Sequence, residues 1–352
     1  MKLSINTVSS YDVIIGYNLL ESFDINLNIF DKDQLFILCF SSSLENKSNS
    51  LLAYLKEKKY NIKSLKINDG ESQKDLNNVE YVINQLVELG ANKNTVLLAF
   101  GGGSIGDLVG FISSVYMRGI YYVNIPTTLL SMVDSSLGGK TAINYAGIKN
   151  IIGSFYQPAR VCIDPSMLKT LSSREIRSGM GEVIKYGLIN NYVIIQKLLQ
   201  NYNCIIQQKN KDLMLDIILD CCSVKKFYIE SDEKDKGIRN ILNFGHTLGH
   251  VIESKYQSEA ITHGEAIING MFLAIELSYF KKVMPNDVYS KIKNMYKTLN
   301  IDYTYKLDKS DIENIKYDKK QFSNKYRFIL LKNIGEPIIC DDISKDDILN
   351  II

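Results

Sequence analysis

Neither sign of charge is in excess. Lys plus Arg total 41 and Asp plus Glu 39, a formal net charge of +2 over 352 residues. A nucleic-acid or membrane-surface protein normally carries a basic surplus, so neither partner is expected, and any anionic ligand has to be held by a local cluster. Long apolar runs are missing too. No segment reaches the about 18 apolar residues of a membrane span, and the opening Met1-Lys2-Leu3-Ser4-Ile5-Asn6 lacks the apolar region of a secretory signal. The six cysteines, Cys39, Cys162, Cys204, Cys221, Cys222 and Cys340, contain no Cys-x-x-Cys pair, and the adjacent Cys221 and Cys222 are poorly placed to bond to each other. A chain this long needs no disulfide staples, so they are expected as reduced core thiols in a cytoplasmic protein. Repeats, low-complexity runs and charge blocks are absent as well.

What is present is an ordinary globular composition, 45% hydrophobic and 23% charged, at a length that points to two domains of about 150 residues or more. Up to about residue 165 the pattern alternates. Asp12 to Gly16, Gln34 to Phe40, Asn61 to Ile67, Thr95 to Phe100, Tyr121 to Pro126 and Arg160 to Asp164 read as short apolar strands, with helices over Ser50 to Lys59, Leu76 to Leu89 and Gly106 to Tyr116 between them. That alternation predicts an α/β domain over residues 1–165 with a mainly parallel sheet covered on both faces. Residues 166–352 read as mostly helical: Ser173 to Ile189, Tyr192 to Lys209, Leu213 to Glu230, Thr247 to Lys255, Gly264 to Phe280 and Asn286 to Leu299. A small late β-hairpin is expected from Tyr326 to Leu331 and Pro337 to Cys340, across Asn333-Ile334-Gly335. The cleft between two such halves is the default place for a site.

Gly101-Gly102-Gly103-Ser104-Ile105-Gly106-Asp107 follows a strand and opens a helix. Its free N–H groups and the helix dipole favour an anion. The run satisfies G-x-G-x-x-G, yet the next strand ends Asn124-Ile125-Pro126 without the acid a dinucleotide fold uses for ribose. Either this is a tight βα turn or the sugar is bound elsewhere. Asp69-Gly70-Glu71-Ser72-Gln73-Lys74 offers carboxylates for ribose hydroxyls and a lysine for a phosphate, although a solvated turn has the same composition. The run from Asp134 to Thr141 ends like a Walker A loop, but Asp134 stands where the first glycine is required, which rejects a P-loop nucleotidase.

Histidine is scarce and clustered. All three, His246, His250 and His263, fall within 18 residues. Scattered histidines serve structure more often than ligation; three together with none elsewhere point to a shared site. Two imidazoles and a carboxylate make a common catalytic zinc set with one open position. The carboxylate could be Glu253, Glu265 or the distant Glu182, and spacing does not choose among them. Glu182 shares a helix face with Lys185 in an otherwise apolar stretch, where a carboxylate and an ammonium are costly unless paired or functional.

Taken together these runs resemble the 3-dehydroquinate synthases of the sugar-phosphate cyclase superfamily, over nearly the whole chain. The motifs are the glycine run, Tyr116-Met117-Arg118-Gly119, Pro126 to Leu130, Val133 to Asn144, Gly147-Ile148-Lys149-Asn150, Gly179 to Gly187, Asp232 to Arg239, Asn243 to His250 and His263-Gly264-Glu265-Ala266. The resemblance implies a nucleotide-binding first domain and a metal- and substrate-binding second. It implies a metal, normally zinc with cobalt as a substitute, on Glu182, His246 and His263, with His250 turned to substrate. It implies NAD on Asp69, Gly70, Glu71, Ser72, Gln73 and Lys74; on Gly103, Ser104, Ile105, Gly106 and Asp107; on Thr127, Thr128, Lys140 and Lys149; and on Met167, Leu168, Lys169 and Thr170. Phosphate contacts fall to Arg118, Lys140, Asn150, Asn243, His250 and one of Lys319 or Lys320. By the same resemblance Lys225 and Arg239 would take the substrate carboxylate, while Asp134 and Lys185 would take ring hydroxyls. Three departures from the family's usual residues stand out: Ser41-Ser42-Ser43 where an aspartate follows the second strand, Ser172 for a proline, and Gly181 for an alanine.

The implied substrate is the sugar phosphate 3-deoxy-D-arabino-heptulosonate 7-phosphate, converted to 3-dehydroquinate and phosphate in the shikimate pathway. On that resemblance NAD would serve as a transient hydride acceptor and the metal would polarise the alcohol oxygen, which would make the neighbouring proton removable and let phosphate leave. Re-reduction, ring opening and an intramolecular aldol complete the turnover. A homodimer is implied as well. Related cyclases making 2-deoxy-scyllo-inosose or valiolone lack a substrate carboxylate, which Lys225 and Arg239 speak against. A metal-dependent polyol or alcohol dehydrogenase would need no phosphate cage. A non-catalytic NAD-binding protein would need no metal ligands.

Overall fold

The structure, a computed structural model, describes residues 1–301, 305–313 and 325–352. It divides into two compact units, Met1–Leu171 and Ser172–Ile352.

The first unit holds β1 (Lys2–Ile5), β2 (Tyr11–Ile15), β3 (Phe36–Ser41), β4 (Ile62–Ile67), β5 (Val96–Gly101), β6 (Tyr121–Pro126), β7 (Lys140–Tyr145), β8 (Ile148–Phe155) and β9 (Arg160–Ile163). Its helices are α1 (Glu45–Glu57), α2 (Leu76–Glu88) and α3 (Gly103–Val115). Seven strands form one sheet in the order β1-β2-β9-β6-β5-β3-β4. All pairings are parallel except β1 with β2 at one edge. β3 and β5 are buried at every residue, as expected of central strands covered on both faces. Val79, Val82 and Leu86 of α2 pack with Leu97 and Ala99 of β5 in one core cluster, each large side chain contributing about 1.5–3 kcal/mol.

Several elements differ from the sequence expectation, β1 among them, since no strand is expected ahead of Asp12. α1 begins at Glu45, ahead of the expected Ser50. The polar run there reads as loop, but Ser48 Oγ donates to the Leu44 carbonyl at 2.7 Å and Ser50 Oγ to that of Asn46 at 3.1 Å, so these hydroxyls bond back along the helix. α3 begins at Gly103, because the Gly106 N–H already donates to the Gly102 carbonyl at 3.1 Å. β7 and β8 form an unexpected hairpin across Ala146-Gly147, whose φ values of 52° and 76° are those of a tight type I′ turn.

The second unit is mostly helical: α4 (Ser173–Ile189), α5 (Tyr192–Ile206), α6 (Lys211–Ser231), α7 (His246–Ala260), α8 (His263–Phe280), α9 (Asn286–Thr298), α10 (Lys309–Glu313) and α11 (Lys345–Leu349). The late hairpin is β10 (Lys325–Asn333) with β11 (Glu336–Ser344). Leu248 and Ile252 of α7, Leu277 of α8, and Phe328 and Leu330 of β10 belong to one core cluster. α4 and α8 each start on a reciprocal cap, Ser172 with Glu175 and Thr262 with Glu265. None of the six cysteines is in a disulfide, and four of them are buried. Among the described residues no helix is long and apolar enough to cross a membrane.

Candidate active site

In the first unit the segment from Asp69 to Lys74 is a node of polar contacts. Lys74 is nearly fully buried. Its ammonium donates to Asp107 Oδ2 at 2.7 Å and to Asn150 Oδ1 at 2.6 Å, and pairs with Glu71 Oε1 at 3.2 Å. Burial pulls the Lys74 pKa down, but the charges of Asp107 and Glu71 outweigh it and hold the pKa above the usual lysine value. The sequence offered this lysine to a phosphate; here it ties the segment to α3 and to the β7–β8 hairpin. Asn144, at the irregularity in β7, donates its N–H to the Lys74 carbonyl at 2.6 Å and its Nδ2 to Glu71 Oε1 at 3.0 Å.

Asp69 meets the serine run that marks a departure from the family. Its carboxylate accepts from Ser41 Oγ and Ser42 Oγ, from the Ser43 N–H at 2.9 Å and from Ser43 Oγ at 3.1 Å. Burial raises its pKa, but these donors outweigh it, leaving the carboxyl below its ordinary value. Neither the serines nor Asn144 were singled out from the sequence as partners of this segment.

Gly103, Ser104, Ile105, Gly106 and Asp107 form the first turn of α3. The Thr127 N–H donates to the Gly101 carbonyl at 2.9 Å, and Thr128 Oγ1 shares a hydrogen bond with Ser131 Oγ at 2.8 Å. Lys140, Lys149 and Asn150 lie on the β7–β8 hairpin with exposed side chains. Met167, Leu168, Lys169 and Thr170 lie in the short turn Pro165–Thr170. Asp134 is half-buried in Ser131–Ser135. Arg118 is exposed, at a left-handed φ of 65° beside Met117 at 51°.

In the second unit Glu182, on α4, is fully buried, and its Oε1 lies 3.5 Å from both His246 Nε2 and His263 Nε2. Lys185, one turn along, pairs with the other carboxylate oxygen. The two histidines open α7 and α8. Of the three carboxylates the sequence left open, Glu265 is taken by the α8 cap, where its Oε2 accepts the Thr262 N–H at 2.7 Å, and by Arg174 at 3.1 Å. Glu253 faces the other nitrogen of His263, Nδ1, at 3.6 Å. Burial, reinforced by the Lys185 charge, pulls the His246 pKa down to about 3. Burial also pulls on His263, but hydrogen bonding and charge from Glu182 and Glu253 outweigh it and push its pKa up to about 9.

Close helix packing makes the convergence possible. A Cβ on Gly264 would fall 1.8 Å from the Ser178 carbonyl oxygen, and one on Gly181 would fall 2.8 Å from Gly264 Cα. α4 and α8 therefore touch through backbone at the residues adjoining Glu182 and His263.

The donor set fits a zinc-type ion. Two imidazole nitrogens and one carboxylate oxygen lie within 4.8 Å of one another, and three such ligands leave a tetrahedral position open. His250 is exposed on α7, its ring 5.3 Å from that of His246. Lys225 and Arg239 are buried in this unit, and the Arg239 guanidinium donates to the Glu233 carbonyl at 2.6 Å. Asn243 is half-buried just ahead of α7. Lys319 and Lys320 lie outside the described residues.

Residues 64–178 match the sequence profile of the 3-dehydroquinate synthase N-terminal region, and residues 179–321 that of its C-terminal region. A 3-dehydroquinate synthase of Clostridium tetani is 44% identical over 295 residues, covering 83% of this chain and 78% of that relative. A solved 2-deoxy-scyllo-inosose synthase, complexed with carbaglucose-6-phosphate, NAD+ and Co2+, superposes with a TM-score of 0.89 at 26% identity over the full length of both chains. A 2-epi-5-epi-valiolone synthase of Streptomyces hygroscopicus, with NAD+ and Zn2+ bound, shares the fold at a TM-score of 0.88 and 23% identity, over 99% of this chain and 97% of that one.

Proposed function

The chain belongs to the 3-dehydroquinate synthase family, and from that premise we propose that it converts 3-deoxy-D-arabino-heptulosonate 7-phosphate into 3-dehydroquinate and phosphate, as a phosphate lyase that also closes a carbocycle. We assign NAD to the first unit, over Asp69 to Lys74, Gly103 to Asp107, Thr127, Thr128, Lys140, Lys149 and Met167 to Thr170. The metal falls to Glu182, His246 and His263. The observation that carries the reading is the convergence of those three side chains on one point, from three helices, in a chain of this family.

Bound NAD supplies a reversible hydride acceptor, and a bound divalent ion supplies Lewis acidity toward the alcohol oxygen. The chain's own residues do the rest. Lys225 and Arg239 are buried cations suited to the substrate carboxylate, where little solvent screens the pairing. The exposed His250 donates to phosphate, with Asn243, Arg118, Lys140, Asn150 and one of Lys319 or Lys320. Lys185, held beside Glu182, and Asp134 take ring hydroxyls and fix the sugar's orientation. The departing phosphate, itself a base, would serve for the proton beside the alcohol carbon, so no side chain is assigned that role. We place the enzyme in the cytoplasm as a homodimer.

The test is phosphate release from the heptulosonate phosphate by zinc-loaded protein supplied with substoichiometric NAD. Multiple turnovers without NADH accumulation are expected. No phosphate, or one NADH formed per substrate consumed as in a polyol dehydrogenase, overturns the reading.

A further inference from the structure

α7 carries His246, His250 and Glu253 at spacings of four and three residues, which places all three along one helix face. His246 and His263 meet Glu182 in the same way, each through Nε2 at 3.5 Å from Oε1. Their other nitrogens are also matched. Nδ1 of His246 lies 3.2 Å from the Phe244 carbonyl oxygen, and Nδ1 of His263 lies 3.6 Å from Glu253 Oε2. One ring is backed by a neutral carbonyl, the other by a carboxylate whose side chain is only 11% exposed. A neutral imidazole has one lone pair to give, and which nitrogen carries it is set by the acceptor facing the other.

We propose that Glu253 is a positioning residue for His263: it accepts the Nδ1 proton, holds the ring in the tautomer whose Nε2 lone pair is offered to a metal bound beside Glu182, and raises the basicity of that nitrogen toward the metal. The inference rests on the metal assignment made above and deepens it. His250, Glu253 and His263 also bring donor atoms within 4.8 Å of one another, which raises the competing possibility of a second ion. That ion would need Nδ1 of His263 stripped of its proton, making the ring an imidazolate between two cations, with an exposed His250 as third ligand. The orienting role needs no such deprotonation, and it parallels what the Phe244 carbonyl does for His246.

The experiment measures zinc affinity of the full chain by competition with a chromophoric chelator, zinc per chain by atomic emission, and the imidazole nitrogen chemical shifts of His263. Wild type should bind one zinc, with Nδ1 of His263 protonated. Glu253→Ala should weaken zinc by about 10- to 100-fold and, in the metal-free protein above the His263 pKa of about 9, where the ring is neutral, give mixed tautomers. Glu253→Gln keeps the shape and a carbonyl acceptor for Nδ1–H without the charge, so it should keep the tautomer and recover part of the affinity. Unchanged affinity in both variants overturns the inference while the metal assignment stands. Two zinc ions in wild type, one of them lost in Glu253→Ala, overturn it in favour of a second ion. A wild type that takes up no zinc overturns the metal assignment and this inference with it.

Discussion

Gly264→Ala sets two effects of opposite sign against each other. In a free helix the change favours folding by about 1 kcal/mol, because glycine loses more backbone entropy than alanine. Gly264 is buried in the first turn of α8, and the new Cβ would lie 1.8 Å from Ser178 O, 2.5 Å from Ser178 C and 2.6 Å from Ser178 Cα. All three atoms are backbone of α4, so no side chain can rotate away. A carbon settles against a carbonyl oxygen at about 3.3–3.6 Å, so the helices must part locally by roughly 1.5 Å. Overpacking of that kind costs about 1–3 kcal/mol or more. The N–H of Gly264, which donates to Ser178 Oγ at 3.2 Å, loses its partner for about another 1 kcal/mol. The clash therefore wins, with a net loss of about 1–3 kcal/mol in urea denaturation. Zinc should be more sensitive still. His263 is the neighbour of Gly264, and Glu182 lies one turn beyond Ser178 on α4. Metal–ligand distances tolerate only about 0.2 Å, far less than the displacement, so chelator competition should show at least a tenfold loss of affinity, about 1.4 kcal/mol. A variant that keeps wild-type zinc affinity would refute the claim that this contact sets the span of the site, whatever its stability.

The histidines should divide cleanly. His246→Ala should lose both zinc and turnover, whereas His250→Ala should retain zinc and release phosphate slowly; equal loss of zinc in the two variants contradicts the division. In chelator-treated protein the two histidines proposed as ligands pull the pH profile in opposite directions. His263 has its pKa raised from 6.5 to about 9, so its contribution is complete below about pH 6.5 and fades as pH rises through 9. His246 has its pKa lowered from 6.5 to about 3, so its contribution is complete above about 6.5 and fades as pH falls toward 3. Melting temperatures of the metal-free protein should therefore peak near pH 6.5, and a monotonic rise from pH 5 to about 9 would contradict these shifts.

Much of the architecture could be read before any coordinates, because it is written in local pattern. A run such as Phe36-Ile37-Leu38-Cys39-Phe40 reads as a strand covered on both faces, and its alternation with amphipathic helices points to a parallel sheet. The β7–β8 hairpin was not legible. Its turn is Ala-Gly where Asn-Gly is the strong signal, and β8 is half exposed, with no clear alternation. At the metal cluster spacing offered Glu182, Glu253 and Glu265 alike, since the choice depends on α4 meeting α8, a long-range contact that no local periodicity encodes. One exclusion was available: Thr262-x-x-Glu265 is a capping box, which commits Glu265 to the start of α8. The fate of Lys74 was hidden for the same reason as the choice of Glu182, because its partners Asp107 and Asn150 come from distant parts of the chain.

The serines around Asp69 bear on how a nucleotide is greeted. An ionised carboxylate has about four lone-pair positions, and Ser41, Ser42 and Ser43 between them send it four donors. Asp69 is thus a rivet already hammered flat, and if NAD docks over this segment as proposed, a sugar hydroxyl at this corner would meet Glu71, still partly open to water, rather than an unused lone pair of Asp69. Because the corner is stiffened in advance, docking there would forfeit little freedom of the chain, and replacing any one of the serines with alanine would take a hydroxyl donor away from Asp69.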